Sequence, residues 1–182
     1  VGLPVAEPGG PDWTAQQVTN AILGGSFGSR ITSNIRERKG YTYSPYSVIT
    51  AHYHDAHWVQ NADVSTAVTG ASLKEIFFEI ERMRNEAVPA DELAGIKNYL
   101  AGTFVLRNSS REGILNQLLF ADMQELGDDY IRSYVQRVHA VTPEDIQRVA
   151  RTLIDPSKMT IVVVGDKAKV SEQLKAFGAG GS

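Results

Sequence analysis

LGGSFGSRITSNIRERKGYTYSPYS, residues 23–47, is the stretch whose reading decides the fold. Its paired glycines, Gly24 and Gly25, let a backbone take positive φ and come close to another segment. Ser26 is placed to cap a new helix. Arg30 to Arg38 reads as that helix, with Ile31 and Ile35 one turn apart on the buried side. Arg30, Arg36, Arg38 and Lys39 crowd it with positive charge. Gly40 fits a left-handed helix end. Tyr41, Tyr43 and Val48 then open a strand rich in aromatic and branched side chains.

Upstream, Val1 to Val5 reads as the end of a strand whose start lies before the sequence, which opens without Met like a fragment or processed piece. Pro8, Gly9, Gly10 and Pro11 make a turn, and Asp12 is expected to cap a helix that ends at Gly24. Downstream, Tyr43–Tyr53 and His57–Val64 are expected to form a hairpin joined near His54, Asp55 and Ala56, which makes part of the sheet antiparallel.

Leu73, Ile76, Phe77, Ile80 and Met83 recur at helical spacing and turn one apolar stripe to the core, with Lys74, Glu75, Glu79 and Arg82 on the wet side. Pro89, Asp91 and Glu92 begin a long helix through Leu93, Ile96, Leu100 and Phe104, broken at Asn108-Ser109-Ser110. Ile114–Leu126 reads as a further helix, apolar enough around Leu115, Leu118, Leu119 and Met123 to be largely buried, with Gly127 as its cap. Shorter helices follow over Asp128–His139 and Thr142–Leu153, the second announced by Thr142, Pro143, Glu144 and Asp145. Met159–Val164 has the continuous apolar character of a buried strand, and Val170–Phe177 that of a closing amphipathic helix. The order predicts an α+β fold, a mostly antiparallel sheet packed on a layer of helices. Residues 1–177 form one domain in this reading and 178–182 a flexible tail.

Composition bounds the function. The 182 residues are 42% hydrophobic and 21% charged, ordinary for a globular domain. A net charge of -3 gives no general attraction to nucleic acid. No apolar run nears the roughly 20 residues of a membrane span. Zero cysteines exclude disulfides and thiolate metal sites. The compartment stays open: the pattern suits a soluble protein, periplasmic or cytoplasmic in a bacterium.

The organising stretch resembles the non-zinc, inactive C-terminal-type domain of the pitrilysin/insulinase-like zinc metallopeptidases, the family of the mitochondrial processing peptidases. The resemblance is carried by Leu23, Gly24, Gly25, Ser29, Arg30, Arg36, Glu37, Gly40 and Tyr43. Arg38 and Lys39 reverse the common charge order, and Tyr41 stands where an aliphatic residue is usual. By resemblance, Arg36 and Gly24-Gly25 contact a peptide substrate, and Tyr43, seven residues after Arg36, stabilises an oxyanion in a site completed by a zinc-bearing H-x-x-E-H domain or subunit. A phenol donor suits a developing oxyanion, and a guanidinium offers planar, fixed donors to backbone carbonyls.

The four histidines, His52, His54, His57 and His139, show no H-x-x-E-H spacing, so no metal site is expected in this chain and zinc is expected on the partner. Alone the chain should be inactive as a peptidase. The first three cluster with Asp55 at a hairpin tip, where polar residues need no further reason. Gly24, Gly25 and Gly28 lack the Lys-Ser/Thr pair of a phosphate loop. Plainer readings stand beside the functional ones: Arg36 as a surface ion pair with Glu37, Tyr43 as strand packing, Tyr41 and Tyr46 as rival phenols. An alternative for the whole chain is a structural or assembly subunit of the same fold.

Overall fold

The computed structural model describes residues 1–127 and 129–178. Three strands, β1 (Gly2–Pro4), β2 (Tyr46–His52) and β3 (Asp55–Asn61), form an antiparallel sheet in the order β1-β3-β2. Eight α-helices accompany it among the described residues: α1 (Trp13–Asn20), α2 (Thr69–Asn85), α3 (Ala90–Arg107), α4 (Arg111–Met123), α5 (Asp129–Arg132), α6 (Tyr134–Ala140), α7 (Pro143–Thr152) and α8 (Lys167–Leu174). The α+β expectation holds.

The sheet is two-faced because β3 alternates: Ala56, Trp58 and Gln60 are buried while Asp55 and Asn61 are exposed. Trp58, wholly enclosed, donates its indole N–H to Asn20 Oδ1 at 2.8 Å, and the Ser47 hydroxyl reaches the same oxygen at 2.6 Å. One amide oxygen thereby ties α1 to both long strands. The core behind them joins Ile22, Leu23, Ile31 and Ile35 to Ile80 and Met83 of α2 and to Ile146 and Val149 of α7.

The paired glycines do their work without positive φ, contrary to expectation; the left-handed glycines are Gly9, Gly40 and Gly178. Helix α1 runs on as a π-helical turn, Ala21–Gly25, laid directly on the sheet. A Cβ on Gly24 would stand 2.5 Å from Gln60 Oε1 and 2.6 Å from Ser47 Oγ. A Cβ on Gly25 would stand 2.5 Å from Asn20 Nδ2. Close approach is the reason for both. Ser26 does not cap the next helix: its hydroxyl finds no partner among the described residues, and the chain turns before helix begins at Arg30. Asp12 likewise makes no capping bond, because Arg148 takes its carboxylate at 2.5 Å.

The hairpin is real but tighter than predicted, turning over Tyr53-His54 with His54 at φ 54°. Glu79 is fully buried, not solvated, since Asn34, Arg38 and Arg82 converge on it. Helix α4 is exposed: Leu115 is 63% accessible, and Leu118, Leu119 and Met123 about half so. Its turn is closed by Glu125 at φ 54° in place of Gly127. Residues 159–164 are not a strand; only Thr160 makes a ladder rung, with Gly2, and Val164 is 95% exposed. The closing helix ends at Leu174 and is followed by a 3-10 turn, Lys175–Phe177. Ser133 divides α5 from α6, while Asp128 and tail residues 179–182 lie outside the described residues. No helix among the described residues is long and apolar enough to cross a membrane.

Candidate functional site

The segment carrying the candidates is a π-helix, Thr32–Arg38, reached by one helical turn from Arg30. π-Helical turns are rare and concentrate at functional sites. Ile31 and Ile35, both fully buried, fix which face turns inward. Gly40 ends the segment at φ 64°, as its sequence position predicts, and lets the Tyr41 N–H reach the Ile35 carbonyl at 2.8 Å.

Charge pairing then sorts the four cations. Arg30 grips Glu92 of α3 with two bonds of 2.8 and 2.7 Å, and those bonds raise its pKa above the ordinary guanidinium value. Arg38 reaches Glu79 at 3.3 Å and Lys39 reaches Glu75 at 3.2 Å, both on α2. Asn34 donates to the same two carboxylates, at 2.7 Å to Glu79 and 3.0 Å to Glu75. Three cations and an amide therefore bolt the segment to α2 and α3.

Arg36 is left for other work. Its one ion pair among the described residues is with its neighbour Glu37, at 3.1 Å. Its guanidinium stacks 4.6 Å from the centre of the Phe27 ring and 5.0 Å from that of Tyr43. Both rings are open to solvent, Phe27 at 72% and Tyr43 at 80% accessibility. The residues thus form an aromatic–cation–aromatic stack presented by two turns, its rings exposed and the Arg36 side chain 25% accessible between them.

The sequence reading did not single out Phe27. Its signal was present, an aromatic residue between Ser26 and Gly28 in a turn, where burial is the exception. The rival phenols separate cleanly. Tyr41 packs against the core, and Tyr46, half exposed, opens β2. Tyr41 and Tyr43 both precede β2, which begins only at Tyr46. Tyr43 also contrasts with Tyr53, whose hydroxyl is tied to Glu125 at 2.8 Å, and Tyr130, whose hydroxyl accepts from Trp13 at 2.9 Å.

A cleft of about 540 Å³ flanks Tyr43, lined by Gly40, Tyr41, Thr42, Asp63, Val64 and Ser65. A larger one of about 710 Å³ shares Asp63 and Val64 with it, and Arg36 is not among its lining residues. Gly24 is buried against Gln60 and Ser47 of the sheet, and Gly25 lies exposed at the helix end leading to Phe27. The stack, not the larger cavity, holds groups able to recognise a peptide: planar donors, a phenol and open aromatic faces.

Histidines offer no rival centre. His52 and His57 stack across the hairpin at 5.5 Å, and His54 lies 3.5 Å from Glu7. His139 is exposed in the last turn of α6. Among the described residues no three His, Asp or Glu side chains converge as a metal-ligand set. The donor chemistry present therefore does not fit zinc.

Comparison with known proteins bears on the family and the fold. The family model described as "Peptidase M16 inactive domain" matches residues 1–100. An uncharacterized zinc protease of Streptomyces coelicolor is 25% identical over 84% of this chain and 34% of its own length. A Helicobacter pylori protein named as a non-peptidase homolog is 24% identical over 87% of this chain and 37% of its own. The crystal structure of a peptidase M16 inactive domain from Pseudomonas fluorescens superposes with a TM-score of 0.79 at 24% identity, covering 86% of this chain and 38% of that one. The chain spans about a third of the length of the curated relatives it matches.

Proposed function

We propose that this chain, which belongs to the peptidase M16 inactive-domain family, is the non-zinc half of a zinc metallopeptidase and lends Arg36 and Tyr43 to a site built on a zinc-bearing half. The observation that carries the proposal is the stack of Phe27, Arg36 and Tyr43, held out from a segment whose other cations are all neutralised by neighbouring helices. A fold-stabilising arginine would be expected among those carboxylates. This one is kept apart from them.

In the assembled enzyme, the Arg36 guanidinium holds backbone carbonyls of an extended peptide through its fixed planar donors. The Tyr43 hydroxyl donates a hydrogen bond to the scissile carbonyl oxygen as that atom gains negative charge, the interaction that strengthens in the transition state. Gly24 and Gly25 contribute by seating the helix end on the sheet, which sets where the turn bearing Phe27 emerges beside the peptide. Zinc would be held by the H-x-x-E-H residues of the zinc-bearing half and would supply the activation of water there. The peptide binds between the two halves, so neither is competent alone.

The test is reconstitution. Peptide hydrolysis should appear when this chain is mixed with a zinc-bearing partner of the family and be absent from each component. Full activity of the partner alone would overturn the proposal.

A second reading has an observation of its own. Helix α4 exposes a run of leucines suited to an assembly interface, and a relative of similar likeness carries the name of a non-peptidase homolog. On that reading the chain is a structural subunit, and the reconstituted assembly forms without hydrolysing peptide.

A further inference from the structure

Helix α4 is built inside out. Gly113, Gln117, Phe120 and Ala121 share its inner side, buried or half-buried, and Phe120 lies 6.1 Å from the Tyr130 ring. Just past the helix, Gln124 on the same side spends its amide on the His52 carbonyl at 3.1 Å. The outer side carries Ile114, Leu115, Leu118 and Leu119, each between 48% and 63% exposed. Glutamine inside and leucine outside is the reverse of a surface helix, so the leucine face calls for a partner.

That face reads the same from either end. Arg111 is followed after two residues by Ile114-Leu115, after two more by Leu118-Leu119, and after two more by Asp122. At 3.6 residues per turn all six fall within an arc of about 140°, with Arg111 and Asp122 near its middle. The two charges are opposite in sign and equally far from the centre of the stripe. Both are exposed, and neither makes an ion pair among the described residues.

Their signs are also wrong for an isolated helix. Arg111 occupies the first helical position and Asp122 the last turn, whereas a helix dipole favours acid at its start and base at its end. Beside an antiparallel copy of the same helix, each charge comes next to an opposite pole and an opposite side chain.

We propose that the outer face of α4 docks on the same face of a second copy of this chain, the two helices antiparallel about a two-fold axis level with Asn116 and Gln117. Leu115 of each copy then faces the partner's Leu118, Ile114 faces the partner's Leu119, and Arg111 faces the partner's Asp122. The contact is isologous, as a closed dimer requires. Eight branched side chains fill its centre, and an ion pair closes each end of a stripe about 17 Å long. An unrelated apolar segment could cover the leucines, but it would give no reason for opposite charges at matched distances from their centre. The pairing goes beyond the catalytic reading and stands whether or not Arg36 and Tyr43 serve a peptidase.

The test is charge exchange, read by sedimentation of the whole chain over a concentration series. The parent should pass from monomer to dimer as concentration rises. Arg111→Asp alone and Asp122→Arg alone each set two like-charged pairs across the axis and should weaken self-association at least tenfold. An equal mixture of these two variants should dimerise as the parent does, because every pair across the axis is then opposite in sign. So should the doubly exchanged chain. Both substitutions suit the helix's own dipole, and an unchanged urea midpoint shows that the fold is kept. A parent that stays monomeric throughout would overturn the proposal, as would a mixture no better associated than its components. Binding of α4 by a zinc-bearing half with no self-association would also overturn it, by giving the face to that half.

Discussion

The guanidinium of Arg36 rests 5.0 Å from the centre of the Tyr43 ring, seven residues further along the chain and across a left-handed glycine. Phe27 closes the other face at 4.6 Å. An exposed cation–π contact contributes about 0.5–1 kcal/mol. Phe27→Ala should therefore loosen Arg36 without unfolding the domain. A double-mutant cycle over Phe27→Ala and Arg36→Ala, read by urea unfolding, should return a coupling of about 0.5–1 kcal/mol. In a reconstituted peptidase, Phe27→Ala should raise KM more than it lowers kcat. Strictly additive effects would show that the stack holds nothing.

Glu79 is the anchor on which the segment bearing Arg36 depends. Its carboxylate is wholly buried and receives Asn34 at 2.7 Å, Arg82 at 2.9 Å and Arg38 at 3.3 Å. Glu79→Ala takes an acceptor from a buried amide and from two guanidinium groups, leaving Asn34 only Glu75 and Arg82 only Glu86. Breaking a fully buried pair costs about 3–5 kcal/mol; because Arg82 and Arg38 reach solvent, a loss near the lower figure is expected. The urea midpoint measures it. A change within about 0.5 kcal/mol, the ordinary range for surface substitutions, would contradict the anchoring role.

At the start of α7, Thr142 and Asp145 form a reciprocal capping box with bonds of 3.1 and 3.0 Å. The Thr142 backbone N–H, ahead of the Arg148 guanidinium, holds the Asp145 carboxyl below its usual pKa. A depressed carboxyl pKa favours the folded state above the unfolded value, about 3.9, and the benefit fades as pH falls through the folded value. Thr142→Ala keeps that backbone bond but removes the hydroxyl, which accepts from the Asp145 N–H and donates to its carboxylate at 3.0 Å. It should cost about 1 kcal/mol at neutral pH, and the part of the deficit owed to the carboxylate should fade below about pH 4. Thermal melts of both proteins from pH 7 to pH 3 check this.

Leu115 and Leu118 of α4 are 63% and 52% exposed. Changing both to serine should leave the urea midpoint within about 0.5 kcal/mol of the parent. The same pair of changes should weaken assembly with a zinc-bearing half if α4 lies in that interface. Sedimentation of the mixture reads the second effect separately from the first.

Much of this architecture was legible in the chain. Ile31 and Ile35 placed their helix, Gly40 its end, Leu73 to Met83 the core face of α2, and Thr142-Pro143 the start of α7. What stayed hidden depends on partners distant in sequence. Glu79 lies on a helix face that reads as solvated until Asn34 and Arg38 arrive from another segment. Helix α4 is apolar enough for a core, but periodicity reports a face and never what lies against it. Val162 and Val164 read as strand, yet a strand needs a neighbour, and beyond Thr160 none is at hand. At the site, the family resemblance marked Arg36 and Tyr43, whereas Phe27 joined them only through the path of the turn.

The most direct measurement of the central claim is steady-state kinetics of Tyr43→Phe in a reconstituted peptidase. The substitution removes one hydroxyl from a ring that is 80% exposed, so folding should be untouched. Loss of an oxyanion donor typically lowers kcat about 10²–10³-fold. The expected result is a fall of that size in kcat with KM little changed. Turnover equal to the parent would contradict the claim that this chain completes the catalytic site.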